Sequence, residues 1–121
     1  MKDVNASLRN MRALVVQQPF ADMIANGEKL VENRFWATGH RGPLAIVAGK
    51  RSRYLEAYEL ALYRTGVVVA IVDVLDCVPL AHAPITKHTE GPWCWLLANV
   101  RPLNNGPPVR GKPGLFWIPA I

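Results

Sequence analysis

The chain has 121 residues, half of them apolar, and a formal net charge of +5. That length suits one domain that buries a core without metal or disulfide staples. No apolar run approaches the ~20 residues needed to cross a bilayer. The opening Met1-Lys2-Asp3-Val4-Asn5 lacks the apolar stretch of a secretory signal, so the expected setting is cytoplasmic. The basic balance favours an anionic partner such as RNA, DNA or a nucleotide, since Lys and Arg make phosphate contacts.

Residues 1–10 are polar and read as a flexible segment ahead of one domain, 11–121. Residues 12–17 form a first apolar strand. Pro19 suits a first helical turn, Ala21, Met23, Ile24 and Ala25 continue it, and Gly27 ends it. Lys29, Glu32 and Arg34 then emerge at a helix-to-strand corner, followed at once by Phe35 and Trp36. Residues 30–36 read as a second strand, Arg41-Gly42-Pro43 as a turn, and 44–48 as a buried third strand.

The period changes in 50–64, where Tyr54, Leu55, Tyr58, Ala61 and Leu62 recur at helical spacing, predicting an amphipathic helix that Thr65-Gly66 ends. The β-branched run 67–72 opens a long central strand. Pro84 to Pro92 is a loop carrying Lys87, His88 and Glu90. Trp93-Cys94-Trp95-Leu96-Leu97 is a strand, Asn104-Asn105-Gly106-Pro107-Pro108 a turn, and 111–118 closes the chain. Prolines bracketing short strands favour a barrel with closed edges, giving an α+β fold of about six strands with two main helices. Cys77 and Cys94 lie in apolar runs with no C-x-x-C or H-x-x-x-H spacing, so they read as reduced thiols and no metal or cofactor is expected. P-loop, dinucleotide, G-x-S-x-G and H-E-x-x-H signatures are all missing.

Three segments carry a family resemblance. Residues 18–34 end in G-x-K-x-x-E-x-R; Gly91-Pro92-Trp93-Cys94-Trp95 leads to Asn99-Val100-Arg101-Pro102-Leu103; and Gly111-Lys112-Pro113-Gly114-Leu115 follows. In that order and spacing they resemble the ASCH domain, a branch of the PUA-like superfamily, from about residue 14 to residue 117. The resemblance implies a small PUA-like mixed β-barrel with a cleft beside the first helix, lined by Lys29, Glu32 and Arg34. It also implies RNA or modified-nucleotide binding. Some members are hydrolases: one branch deacylates acylated cytidine, and another member is a ribonuclease. The deacylating branch pairs a Lys with a Thr three positions on and a loop carboxylate. Lys29 matches that Lys, Glu32 stands where the Thr would be, and Glu90 lies in the corresponding loop.

The candidate catalytic residues are accordingly Lys29, Glu32 and Glu90, and the candidate binding residues are Arg34, Trp36, Arg41, Trp93, Gln18 and Pro19. Whether Glu32 pairs with Lys29 or with Arg34 decides if Lys29 is available as a base. Arg34 offers a planar fork for phosphate. Trp36, Trp93, Phe35 and Phe20 are candidates for stacking a base, with core packing favoured for Phe20, Trp95 and Trp117. The leading function is binding of RNA or a nucleotide. The alternatives are a hydrolase of modified nucleosides or RNA, and a protein-interaction module using the basic 50–64 helix.

Overall fold

The computed structural model describes residues 7–119. One six-stranded mixed sheet organises them: β1 (Arg12–Val16), β2 (Val31–Arg34), β3 (Gly42–Ala48), β4 (Val68–Pro79), β5 (Trp93–Pro102) and β6 (Phe116–Trp117). Their order across the sheet is β2-β5-β4-β3-β1-β6, curled into a half-barrel whose ladder ends at β2 and β6. Only β1 and β3 run parallel, with Ala13 opposite Ala45 and Val16 opposite Ala48. The other neighbours are antiparallel.

The continuous apolar run of β3 is explained by burial on both faces. Side chains alternate across a strand, so Leu44, Ile46 and Ala48 enter one core with Leu14, Val16, Val72 and Trp95. Ala45 and Val47 enter a second with Ala13, Val68, Phe116 and Ile118. Ile24 and Ala25 of helix α1 (Phe20–Ala25) cover the first core. Of the segment expected to be loose, residues 1–6 lie outside the described residues. Leu8 is fully buried in the second core, and Asn10 N–H donates to the Ile118 carbonyl at 3.2 Å.

The expected 50–64 helix shrinks to one turn, α2 (Ala57–Leu60), in which no residue is buried. Tyr58 is 76% exposed and Leu62 85%. A helical period gains stability only where an apolar bed receives it, and here none does. Glu59 caps the turn by accepting the Glu56 N–H at 2.9 Å. Trp117, expected in the core, lies more than half exposed on the edge strand under the Arg12 guanidinium, 4.4 Å from the ring centroid. Trp95 is fully buried as expected. Both cysteines are free: Cys94 is buried, and that burial pushes its thiol up, while Cys77 is half-buried.

Curvature enters through β4 and β5, whose pairing shifts between Ile71 and Asp73 and again between Val74 and Asp76. Such irregularities bend a strand and increase its twist. At the first, Asn99 takes a left-handed φ of 52°, a conformation Asn tolerates better than most residues. Its Nδ2 donates to Asp73 Oδ2 at 2.9 Å, and Arg101 Nη2 donates to Asp73 Oδ1 at 3.1 Å. The Asn99-Val100-Arg101 motif is thus a clamp on a bulge.

The bond from Arg101, reinforced by Asn99, holds the Asp73 carboxyl below the usual carboxylate range. A folded-state value below the unfolded one adds stability above the unfolded value and loses it as pH falls through the folded value. Asp73→Asn is therefore expected to lower the urea midpoint at neutral pH. The gap to the native protein should close as pH drops below ~4, where the unfolded carboxyl protonates. A gap independent of pH would show that the carboxylate charge plays no part.

Candidate ligand-binding site

The corner after α1 is built by its own backbone. Gly27 takes φ +80°, and the N–H groups of Glu28 and Lys29 both donate to the Met23 carbonyl, at 2.9 and 3.2 Å. This wraps Lys29 back beneath the helix. Glu32 and Arg34, two residues apart on β2, share a face.

There the three side chains join. Lys29 Nζ donates to Glu32 Oε1 at 2.7 Å and to the Val31 carbonyl. Glu32 Oε2 accepts from Arg34 Nε at 2.9 Å and lies 2.8 Å from Nη2. Lys29 is 4% exposed and Glu32 6%. So Glu32 pairs with both cations rather than choosing one. Arg34 Nη2 also donates to the Val15 carbonyl of β1 at 2.8 Å. Three strands separate β2 from β1 in the sheet, which on a flat surface would be about 19 Å at ~4.8 Å per strand. Arg34 closes that distance across the concave face.

Above this floor lies a hollow of about 450 Å³. Phe20 and Tyr54 line it, edge to face at 4.7 Å, with Lys29 Nζ 5.8 Å from the Phe20 ring centroid. Phe35, 88% exposed, and Trp36, set edge-on against Trp95 at 4.8 Å, line it too. Arg53 completes the lining from the segment after β3, its N–H held by Gln17 Oε1 at 2.8 Å.

Asn33 fastens the 84–92 loop over the hollow. Its Nδ2 donates to the His88 carbonyl at 2.8 Å, and its Oδ1 accepts the Glu90 and Gly91 N–H groups at 2.9 and 2.8 Å. His88, Glu90 and Gly91 thereby join the lining. His88 Nε2 is buried with no hydrogen-bond partner among the described residues.

Of the nine candidate catalytic and binding residues, Lys29, Glu32, Arg34, Trp36 and Glu90 meet at this hollow, together with the stacking candidates Phe20 and Phe35. The other four do not line it. Gln18 is fully buried: its Oε1 accepts the Asp22 N–H, and its Nε2 donates to Asp22 Oδ1 and the Arg64 carbonyl, each at 3.0 Å. It anchors the helix start that Pro19 opens. Arg41 pairs with Asp76 at 3.1 Å and donates to the Thr38 and His40 carbonyls. Trp93 lies half-buried opposite Arg34 in the β2–β5 ladder. Sequence reading missed Asn33, Arg53, Tyr54 and His88. Arg53 and Tyr54 were assigned to a helix, and Asn33 acts on residues more than fifty positions away, beyond any local signal.

Removing one member of a buried ion pair strands its partner, which typically costs about 3–5 kcal/mol. Glu32→Ala strands two cations and is expected to reach that range in chemical denaturation. Lys29→Met leaves Glu32 with the two-nitrogen contact of Arg34 and should cost clearly less. Equal losses from the two variants would mean that Glu32 is not the hub.

An ASCH domain model matches residues 14–107. Activating signal cointegrator 1 from Homo sapiens is 29% identical over 126 aligned residues, as is its Mus musculus counterpart. Each alignment takes in 87% of this chain and 22% of the relative, so the chain spans about a fifth of the curated relatives it matches. Two mutant forms of ZmASCH from Zymomonas mobilis superpose with TM-scores of 0.59 and 0.55, at 15% and 16% identity. The first match covers 91% of both chains; the second covers 92% of this chain and 89% of the other. At such identity the likeness speaks for the fold. With its family model spanning well over half of its length, the chain belongs to the ASCH domain family.

Proposed function

We propose that this ASCH domain binds RNA or a nucleotide by holding one base in the hollow beside α1. The observation that carries the reading is the joining of a buried ionic floor to exposed aromatic rings around a space of ligand size. At about 450 Å³ the hollow falls within the ~300–1,000 Å³ of small-molecule sites. Phe35, Trp36 and Tyr54 offer ring faces on which any base can stack. Two of the three Lys29 ammonium hydrogens are engaged, leaving one for a carbonyl or ring nitrogen of the base. Arg53, at the exposed part of the lining, offers a planar fork to a phosphate.

Binding is favoured over turnover because the floor is already occupied with itself. Both Glu32 oxygens are engaged and Lys29 donates to two acceptors. The presence of Glu90 and Lys29 in one lining gives hydrolysis of an acylated nucleoside or of RNA as the second reading. Under that reading the native protein forms product and Lys29→Met does not. No product from acylated cytidine or from RNA with the native protein leaves binding alone.

For the binding reading, Trp36→Ala and Tyr54→Ala are expected to weaken nucleotide affinity in calorimetric titration. A stacked base is worth about 1–3 kcal/mol, so each loss should fall between about five-fold and 150-fold. Affinity unchanged in both variants contradicts the assignment.

A further inference from the structure

We infer that a second, basic groove adjoining the hollow carries the phosphates of a single-stranded nucleic acid whose base occupies the hollow. The inference rests on the binding function proposed above and adds to it the path that the phosphates of a strand take. The groove encloses about 630 Å³ and shares Val15 and Gln17 with the hollow, so one wall serves both. It lies just beyond the carboxyl ends of the parallel pair β1 and β3, where Gly49, Lys50 and Arg51 follow β3. Its other side is the 109–113 segment, which contributes Arg110 and Lys112.

Among the described residues, four cations line this groove, Lys50, Arg51, Arg110 and Lys112, and no carboxylate does. The five ion pairs among the described residues use other side chains. The contrast with the hollow is informative, because both cations on its floor are ion-paired to Glu32. Unneutralised cations along a channel are the arrangement that tracks a phosphodiester backbone. Arg53 lines the hollow and Arg51, two residues earlier, lines the groove, so each of the two adjoining spaces takes a cation from this one segment.

The groove is also firmly seated. The Val109 N–H donates to the Gly66 carbonyl at 2.9 Å, and Val67 bridges to Pro108. A Cβ on Gly111 would lie 2.7 Å from Val15 Cγ2, so this segment lies directly against β1. Arg110 and Lys112 therefore project from backbone fixed to the sheet, which lowers the ordering cost of binding.

The test compares the four ribonucleoside 5′-monophosphates with random-sequence hexaribonucleotides. The native protein is set against the combined variant Lys50→Gln, Arg51→Gln, Arg110→Gln, Lys112→Gln. The native protein should bind the hexamers more tightly than any monophosphate. In the variant, hexamer affinity at 0.1 M salt should fall about tenfold or more. The slope of log affinity against log salt should flatten by as much as about 3, at ~0.7 per single-strand phosphate contact. Monophosphate affinity should stay unchanged. Hexamers no tighter than monophosphates, or a variant with native affinity and slope, overturn the groove while leaving the hollow standing. Hexamer binding lost in the variant, with no monophosphate binding by the native protein, supports the groove and removes the base pocket. Polyglutamate bound as tightly as the hexamers, with the same salt slope, overturns the nucleic-acid assignment in favour of acidic protein.

Discussion

Glu32, buried between Lys29 and Arg34, is the contact on which the site depends. One carboxylate fixes two cations taken from the end of a helix turn and from an edge strand, and Arg34 then reaches the Val15 carbonyl across the concave face. A carboxylate in this position replaces its lost water with charge-assisted bonds from Lys29 Nζ and Arg34 Nε, which makes burial tolerable. The arrangement couples sheet curvature to site geometry: β2 and β1 approach only because the sheet curls, and Arg34 holds them once they do.

The rest of the site is layered on that frame. The two bulges bend β4 and β5, α1 covers the first core, and Asn33 ties the 84–92 loop down beside the ionic floor. Aromatic rings remain exposed around the hollow because the core beneath is already filled, with Trp95 as its largest fully buried side chain. Rings that the core has no room for thus stand beside charges already paired with one another, and in the proposed reading that surface receives a flat ligand of mixed polarity. The basic groove next to it differs in kind, since none of the ion pairs among the described residues uses its charges.

Much of this was legible in the sequence where the determining physics is local. Strand runs, the Pro19 start and Gly27 stop of α1, and the Lys29, Glu32 and Arg34 corner all announce themselves within a few residues. The mixed α+β fold of six strands followed from those runs together with the family resemblance, whereas the closed edges expected of a barrel give way to a curled sheet that ends at β2 and β6. The readings that differ are decided by distant partners. Tyr58 and Leu62 have helical spacing, yet no apolar surface of the fold lies opposite them. Trp117 has the composition of a core residue but falls on a two-residue edge strand. Gln18 was named a binding residue, whereas Asp22 and Arg64 saturate its amide from within. Arg53, Tyr54 and His88 reach the hollow from segments far from the charged corner, so only the assembled sheet reveals them.

The most direct test of the central claim is a nitrogen–proton correlation spectrum recorded while ribonucleoside 5′-monophosphates are titrated into the native protein. The account predicts shifts concentrated in the backbone amides of Gln17, Asn33, Phe35, Trp36, Arg53 and Gly91, together with the Arg34 Nε–H. Signals that stay fixed at the hollow, or that move instead around Asp73 and Arg101, contradict it.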